Sequence, residues 1–349
     1  MQAAQPITYG FYLSALVDAW TRDIDRLVHA LQAADASPLG ACALAGTSFP
    51  IDREATSKML GFSRPLANAL DGVASRDFAL ELNASLSIMM ITCSRMVQDF
   101  YIWSTPEFGY LSFPDSIAST SSIMPQKKNP AVLEYLRGKT GHLIGLTSAA
   151  FSTVKSTHFT HSGDSSRDST RTCWEACEEA IKALELMILL VENVEPNRAR
   201  MAARAAEDFS TVTDLADLLV TQANITFRDA HHIIGAVVRQ ALEAGMPAKD
   251  IPASMIDAAA TRQLGRAISL RAEDIAACLD PERNVAARRS LGGPAPEGVR
   301  AHIADQHRLL AERRALIDTT RQRVRDAQAN LQQRIRGLAA LPTRETIAH

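Results

Sequence analysis

A hydrophobic repeat with the period of an α-helix runs along almost the whole chain, and the alternation typical of a β-strand is nearly absent. The segment from Arg76 to Trp103 shows the repeat most clearly, because its apolar residues occupy almost the full circumference of a helix. A helix that is apolar on every side has to be buried on every side, either inside a bundle or between subunits. The sequence therefore predicts an all-α fold built around a bundle of long helices.

Two further long helices are expected after this segment. One should begin at Pro130, with Asn129 as its N-cap and the proline in the favoured first position. Its interior holds three glycines: Gly138, Gly141 and Gly145. Each glycine costs about 1 kcal/mol relative to alanine in a helix, so three of them indicate close packing against neighbouring helices. The other helix is expected between about Asp168 and Val194.

Beyond Pro196 the helical patterns become shorter and more amphipathic. The expected organisation is a long-helix bundle domain over residues 1–197, incomplete at its N-terminus, and a smaller helical domain over residues 198–349. Near the C-terminus apolar residues recur every seventh position, while the intervening d-type positions are mostly polar. This pattern favours a packed surface helix over a free coiled coil. Eight arginines against three acids between Arg308 and Arg336 are usually explained by a solvated face, and an acidic partner is the alternative.

Charge and cysteine usage exclude several functional classes. With 37 basic and 39 acidic side chains, the formal charge of −2 gives no reason to expect a nucleic acid or an anionic membrane as partner. Five cysteines without a CxxC pair indicate neither a zinc ribbon nor a disulfide framework, and a reducing cytoplasm fits them best. No run of about 20 apolar residues predicts a spanning helix, and the N-terminus does not resemble a signal peptide.

The segment SSIMPQKKNP, from Ser121 to Pro130, carries the densest chemistry in the chain. It combines two serines, a rigid proline, two lysines and an Asn-Pro helix start. Such a loop can place a hydroxyl, an ammonium and free helix N-terminal amides around one anionic group. A capped helix preceded by a solvated loop is the structural alternative, and composition alone leaves both open.

The same string closely resembles the signature loop of the fumarase/aspartase superfamily, and its two lysines are typical of argininosuccinate lyases. Other stretches resemble segments of that family in the same order along the chain. They are SPLGACALAGTSFPIDR, NALDGVASRDF, WSTPEFGYLSFPD, FSTVTDLADLLV, FRDAHHIIG and LDPERNVAARRSLGG. Since these stretches cover essentially the whole chain, the sequence is identified as a member of the argininosuccinate lyase family.

The resemblance implies a β-elimination in which a carbon–nitrogen bond of an N-substituted aspartate breaks and fumarate leaves, as in arginine biosynthesis. The proton removed is very weakly acidic, so the carboxylate beside it must be held by donors that stabilise a doubly charged aci-carboxylate. The family's serine base maps to Ser121, and nearby amides and lysine must stabilise its alkoxide. The resemblance places substrate contacts on these residues: Lys127, Asn129, Ser122 and Gln2.

Glu134 matches the acidic residue that orients the family's catalytic histidine. Active sites in this superfamily are composite, with regions from three subunits meeting in a tetramer, so the resemblance implies a homotetramer that acts on a small aminosuccinate. No cofactor or metal is expected. Arg76 is open to two interpretations: positioning of the substrate, or a buried contact with Asp77 or Asp71.

Two departures from the family pattern concern the loop and the amine end of the substrate. Thr120 stands where the family has glycine. If glycine is needed there for loop closure or for left-handed backbone, the threonine would stiffen the loop or misplace Ser121. The family segment that grips argininosuccinate aligns with HSGDSSRDS, where His161 and Ser166 replace a tyrosine and a glutamine. These losses indicate a different leaving amine, with His161 and Ser166 as candidate contacts. His158, His161 and Asp164 are also weak candidates for metal ligands.

The third departure is at the N-terminus. In the family, the stretch equivalent to Gln2-Ala-Ala-Gln-Pro directly follows a Thr-x-x-His element that supplies the catalytic histidine, and an N-terminal domain precedes that element. Three explanations are open: a misplaced start, a separate N-terminal chain as a partner, or a decayed homologue. The last is the alternative function, in which an inactive helical oligomer acts as a scaffold or binding protein.

Overall fold

The computed structural model describes residues 3–339, and this part of the chain is almost entirely helical, which confirms the all-α prediction. Its thirteen α-helices are, in order, α1 (Tyr9–Ala34), α2 (Arg53–Leu60), α3 (Ala69–Ala74), α4 (Asp77–Trp103), α5 (Ala131–Val154), α6 (Gly163–Asn193), α7 (Arg198–Glu207), α8 (Val212–Ala223), α9 (Phe227–Glu243), α10 (Ala253–Leu264), α11 (Ala272–Leu279), α12 (Pro281–Ala287) and α13 (Pro296–Ala339). None of these described helices is both long and apolar enough to cross a membrane.

Short two-residue strands pair loop segments with one another. They are β1 (Ala36–Ser37), β2 (Arg64–Pro65), β3 (Leu111–Ser112), β4 (Ser119–Thr120), β5 (Lys128–Asn129) and β6 (Glu195–Pro196). β1 pairs with β2 in parallel, whereas β3 with β6 and β4 with β5 are antiparallel pairs.

The chain forms two compact units, each made of separate stretches of sequence. The first unit comprises residues up to 17, 102–113 and 194–305, and the second comprises residues 18–101, 114–193 and those from 306 onward. The chain passes from the second unit to the first at residue 194, but it also does so elsewhere. The expected division into domains 1–197 and 198–349 therefore stays a prediction.

In the second unit, the long helices α4, α5 and α6 bury one face each. α5 packs along α6, and the buried face of α6 is lined by the small residues Ala176, Ala180 and Ala183, which allow the two helices to approach closely. α4 and α5 are joined by buried hydroxyls, because Thr147 Oγ1 lies 2.6 Å from Ser87 Oγ and donates to the carbonyl of Asn83. The buried apolar side chains of α4 include Met90, Met96, Val97 and Phe100.

Within the second unit, the last helix, α13, lies beside the first helix, α1. The Gln306 amide donates to Asp18, Arg313 donates to Asp25 at 2.9 Å, and Arg323 pairs with Asp35. Because the partners advance together along both segments, α1 and α13 run parallel. Gln306 and Arg313 occupy d-type positions of the heptad pattern, so their pairing with aspartates explains why these two positions are not apolar and why α13 packs on the protein surface.

The first unit has its own core, formed by α8 to α11. Leu215, Leu219, Ile233, Val237 and Ile256 are almost fully buried there. The unit is also tied to the start of the chain, because Arg288 pairs with Asp214 at 2.6 Å and donates to the carbonyl of Pro6. Burial raises the pKa of the Asp214 carboxyl despite this arginine.

Candidate functional site

The SSIMPQKKNP loop is the tip of a small β-hairpin. β4 and β5 form its base, with Ser119 opposite Asn129 and Thr120 opposite Lys128. Within the loop, the Ser121 amide donates to the carbonyl of Lys127, and the Lys127 amide donates to the carbonyl of Met124. The hairpin therefore closes the loop on itself and gives Ser121 a defined place directly after β4.

The base of the hairpin is also anchored by an ion pair. Lys128 Nζ lies 2.7 Å from Asp115 Oδ1, in the short 3₁₀ helix Asp115–Ile117. The hydrogen bond and the charge of Lys128 hold the pKa of the Asp115 carboxyl below its usual range. Lys128 is thus occupied in the hairpin, whereas Lys127 is exposed at the end of the loop.

The hydroxyl of Ser121 faces two backbone amides. Ser121 Oγ accepts hydrogen bonds from the amide of Met124 at 3.1 Å and from that of Ile123 at 3.3 Å. Two N–H dipoles aimed at one oxygen stabilise negative charge on that oxygen more than they stabilise the neutral hydroxyl. This arrangement lowers the cost of forming an alkoxide at Ser121, which is the property that a serine base requires.

Thr120 fits the loop without strain. It lies in the extended strand β4, and its φ is not positive. Left-handed backbone is the conformation for which glycine would be needed, and the hairpin does not use it at this position. The expected penalty for threonine in place of the family's glycine is therefore absent from the backbone of this loop.

The remaining predicted residues of this region are less closely gathered. Ser122 is exposed in the loop, and Glu134 is exposed in the first turn of α5. Asn129 is half-buried in β5, and the prediction that it caps the next helix is wrong: α5 begins at Ala131, and Pro130 before it makes no side-chain cap. The asparagine is instead engaged by pairing of its strand with β4. Gln2 lies outside the described residues.

A second group of predicted residues surrounds a cavity of about 750 Å³, which we call the Arg76 cavity. Its lining residues are Ser37, Pro38, Leu39, Gly40, Ala41, Cys42, Leu60, Phe62, Gly72, Val73, Arg76 and His161. His161 and Arg76 therefore share one pocket, although they are far apart in the sequence. Ser166 does not line it, since this residue lies inside α6 and its hydroxyl donates to the carbonyl of Gly163.

The structure excludes one of the two interpretations of Arg76, the contact with Asp77 or Asp71. Its Nη1 donates to the carbonyls of Val73 at 3.1 Å and Ser75 at 2.6 Å, and no ion pair with Asp71 or Asp77 is formed. Asp71 instead accepts a hydrogen bond from the Ser75 hydroxyl. The guanidinium is thus held by backbone oxygens at the edge of a cavity, which leaves its charge uncompensated there.

The loop of residues 37–42 is a part of this pocket that motif reasoning did not assign. Gly40 and Cys42 both adopt left-handed backbone, with φ of 87° and 55°, so the loop makes a tight reversal along the cavity wall. The Pro-Leu-Gly sequence is a turn signal that points to this reversal. Among the described residues, no three His, Cys, Asp or Glu side chains lie together as a metal site, and His158, His161 and Asp164 form none.

Comparison with known proteins agrees with this architecture. A profile described as lyase matches residues 1–145, and one described as argininosuccinate lyase C-terminal matches residues 209–286. Argininosuccinate lyase 1 of Shouchella clausii is 41% identical over 327 residues, which are 94% of this chain and 66% of that protein. The argininosuccinate lyase of Methanoculleus marisnigri is 40% identical over 92% of this chain and 64% of its own length. The chain thus spans about two thirds of the length of these relatives.

Solved structures show the same fold. A class II fumarase from Schistosoma mansoni, 16% identical, superposes with a TM-score of 0.65 over 83% of this chain and 61% of its own, which shows a shared fold. The long-helix bundle is therefore a fold that this chain shares with that enzyme. An EDDS lyase variant with bound fumarate is 34% identical, with a TM-score of 0.86 over 96% of this chain and 67% of its own. The two profiles and the two relatives at 40% and 41% identity show that the chain belongs to the argininosuccinate lyase family, within the fumarase/aspartase superfamily.

Proposed function

We propose that this chain forms part of a carbon–nitrogen lyase that cleaves an N-substituted aspartate, argininosuccinate or a related aminosuccinate, into fumarate and an amine. The hydroxyl of Ser121, held by two backbone amides, is the observation that carries this proposal. The membership in the argininosuccinate lyase family supports it, as does the likeness to an EDDS lyase structure that holds fumarate.

In this mechanism Ser121 removes the proton from the carbon beside a carboxylate. The amides of Ile123 and Met124 stabilise the alkoxide before the proton is transferred. The Ser121 hydroxyl is therefore easier to deprotonate than the hydroxyl of a free serine. The electron pair left on carbon spreads into the carboxylate as an aci-carboxylate, and it then forms the double bond of fumarate as the carbon–nitrogen bond breaks.

The carboxylate needs donors that strengthen as its charge grows. Lys127 supplies a point charge from the loop, and Asn129 and Ser122 supply neutral donors on the same hairpin. The first turn of α5 follows this hairpin at once, so its free amides add the positive end of a helix dipole. Gln2 is proposed as a further substrate contact, and Glu134 as the residue that orients a catalytic histidine supplied from outside the described residues.

We propose that the site is completed in a homotetramer. An apolar stripe of α6 is exposed in the single chain and recurs at heptad spacing: Trp174, Ile181, Leu184, Ile188 and Val191. On α5, a side-chain carbon at Gly138, Gly141 or Gly145 would meet nothing within 4 Å. The close packing expected of these glycines is thus not made within the part of the chain that the structure describes. A second copy, packed on α5 and α6, supplies it and covers the stripe.

The proposal is tested by following the ultraviolet absorbance of fumarate while the full-length protein is offered N-substituted aspartates. Ser121→Ala should abolish the signal, whereas Ser119→Ala, in β4 of the same hairpin, should retain it. Far-ultraviolet circular dichroism of both variants should match that of the unaltered protein. Turnover retained by Ser121→Ala would remove Ser121 from the role of base. Absence of fumarate from every aspartate would favour the inactive scaffold.

A further inference from the structure

The Arg76 cavity has an unusual balance of charge. Among the described residues, no carboxylate lines it, and Arg76 is the only permanently charged side chain on its wall. His161 adds a ring N–H, and most of the remaining wall is apolar, with side chains of Leu39, Leu60 and Phe62. A cationic ligand would meet like charge there and no anionic partner.

The hydrogen-bonding groups of the cavity wall point the same way. Two of the carbonyls in the loop of residues 37–42 are already occupied: Leu39 O accepts from Arg53 Nε at 3.1 Å, and Gly40 O accepts from the thiol of Cys42. A guanidinium donates from several N–H groups, and each of these two carbonyls has only one lone pair left to accept from it. By contrast, Arg76 uses only Nη1 on Val73 and Ser75, which leaves the edge formed by Nε and Nη2 to donate. That edge matches the two oxygens of a carboxylate.

We propose that the Arg76 cavity selects the amine portion of the substrate, and that it takes an amine carrying a carboxylate on an apolar stem rather than a guanidinium. The inference rests on the proposed lyase function for its biological meaning. The carboxylate binds Arg76 and the ring N–H of His161, and the stem lies against Leu39 and Phe62. A volume of about 750 Å³ accommodates such a group.

Binding without turnover tests the cavity by itself. Isothermal titration of the full-length protein with hexanoate and with hexylamine compares an anion and a cation on the same stem. Hexanoate should bind and hexylamine should not. Arg76→Met should weaken hexanoate binding by about 10- to 100-fold, the range for loss of a charge-assisted pair of hydrogen bonds. Arg314→Met, an exposed arginine of α13, is the matched control and should leave binding unchanged.

Arg76→Lys is a second variant, in case Arg76→Met fails to fold. It keeps the positive charge of Arg76 but loses the paired N–H donors of the guanidinium. This variant should still bind hexanoate in preference to hexylamine. Equal binding of the two probes, or hexanoate binding that is insensitive to Arg76→Met, would overturn the inference.

Turnover then separates the inference from the proposed function. Aspartates substituted with a carboxyalkyl group should give a higher kcat/KM than those with a guanidinoalkyl group of equal length, and Arg76→Met should act mainly on KM. A preference for the guanidinoalkyl substrate would overturn the inference and leave the lyase function standing. If no aspartate yields fumarate while hexanoate binding depends on Arg76, the lyase function fails and the anion site remains.

Discussion

Thr120 stands at the base of the hairpin that presents Ser121. A β-branched residue suits an extended strand because its side chain restricts the backbone to that region, whereas glycine is free to leave it. Pairing of Thr120 with Lys128 therefore limits the motion of the loop between them. The residue that departs from the family pattern therefore lies in the strand pair that closes the loop around Ser121.

Replacing Thr120 by glycine should lower the free energy of unfolding by about 0.5 to 1 kcal/mol, because glycine in a strand loses more conformational freedom on folding. Urea denaturation of the two proteins measures the difference. Thr120→Val retains the branched side chain and should be close to the unaltered protein. An equal loss in both variants would show that the hydroxyl, rather than the strand preference, matters at this position.

At the scale of elements, Lys139 of α5 and Glu179 of α6 form an ion pair that joins the two helices, and Lys182 of α6 binds the same carboxylate. Lys139 Nζ lies 2.5 Å from Glu179, and Lys182 lies 2.9 Å from the same carboxylate. Hydrogen bonds from Lys139 and Lys182 lower the pKa of Glu179 from 4.5 to about 2. Since Glu179 is mostly shielded from water, solvent and salt screen the ion pair between Lys139 and Glu179 less than an ordinary surface pair.

Because the pKa of Glu179 is lower in the folded protein, its ion pair stabilises the fold above pH 4.5. This stabilisation is lost as the pH falls from 4.5 toward about 2. Glu179→Gln should therefore cost on the order of 1 kcal/mol at neutral pH and flatten the stability profile in that acidic window. Chemical denaturation across the pH range measures both effects. Glu178 is an exposed neighbour on α6, so Glu178→Gln should change neither the stability at neutral pH nor the acidic profile. A similar loss of stability in Glu178→Gln would argue against a role for the Lys139–Glu179 ion pair.

At the scale of the whole molecule, the exposed stripe of α6 distinguishes a chain that functions alone from one that assembles. Trp174 is 69% exposed and Ile181 is 58% exposed, which is costly for large apolar groups on one face of a helix. α4 contributes Ile88 and Ile91, exposed in the same way, although its periodicity calls for burial on all sides. The proposed burial between subunits would cover the exposed residues of both helices.

Ile181→Asp should dissociate the assembly, because it places a charge in the proposed contact between copies. Sedimentation velocity of the full-length protein measures the change in oligomeric state. Leu242→Asp is the matched control, since Leu242 is 62% exposed on α9 of the first unit and is expected to stay in solvent. A loss of oligomer from Leu242→Asp, or none from Ile181→Asp, would place the interface elsewhere.

Several elements were predictable because their causes are local. The long helix from Arg76 to Trp103 follows from its own periodicity, and α4 occupies nearly that span. The helix expected from Asp168 begins earlier, at Gly163, because local hydrogen bonds among Ser162, Asp164 and Ser165 start it sooner. The prediction that Asn129 caps the next helix was wrong because Asn129 lies in β5 and pairs with β4.

The sequence by itself determined the helical class, the family and the residue types of the serine loop, because periodicity and short motifs act over a few neighbouring positions. Only the tertiary structure decided that the Ser121 hydroxyl faces two amides, that Arg76 and His161 share a cavity without a carboxylate, and that polar d-type positions of α13 meet aspartates at α1. These contacts join segments far apart in the chain, or depend on the path of a loop, so no local pattern encodes them.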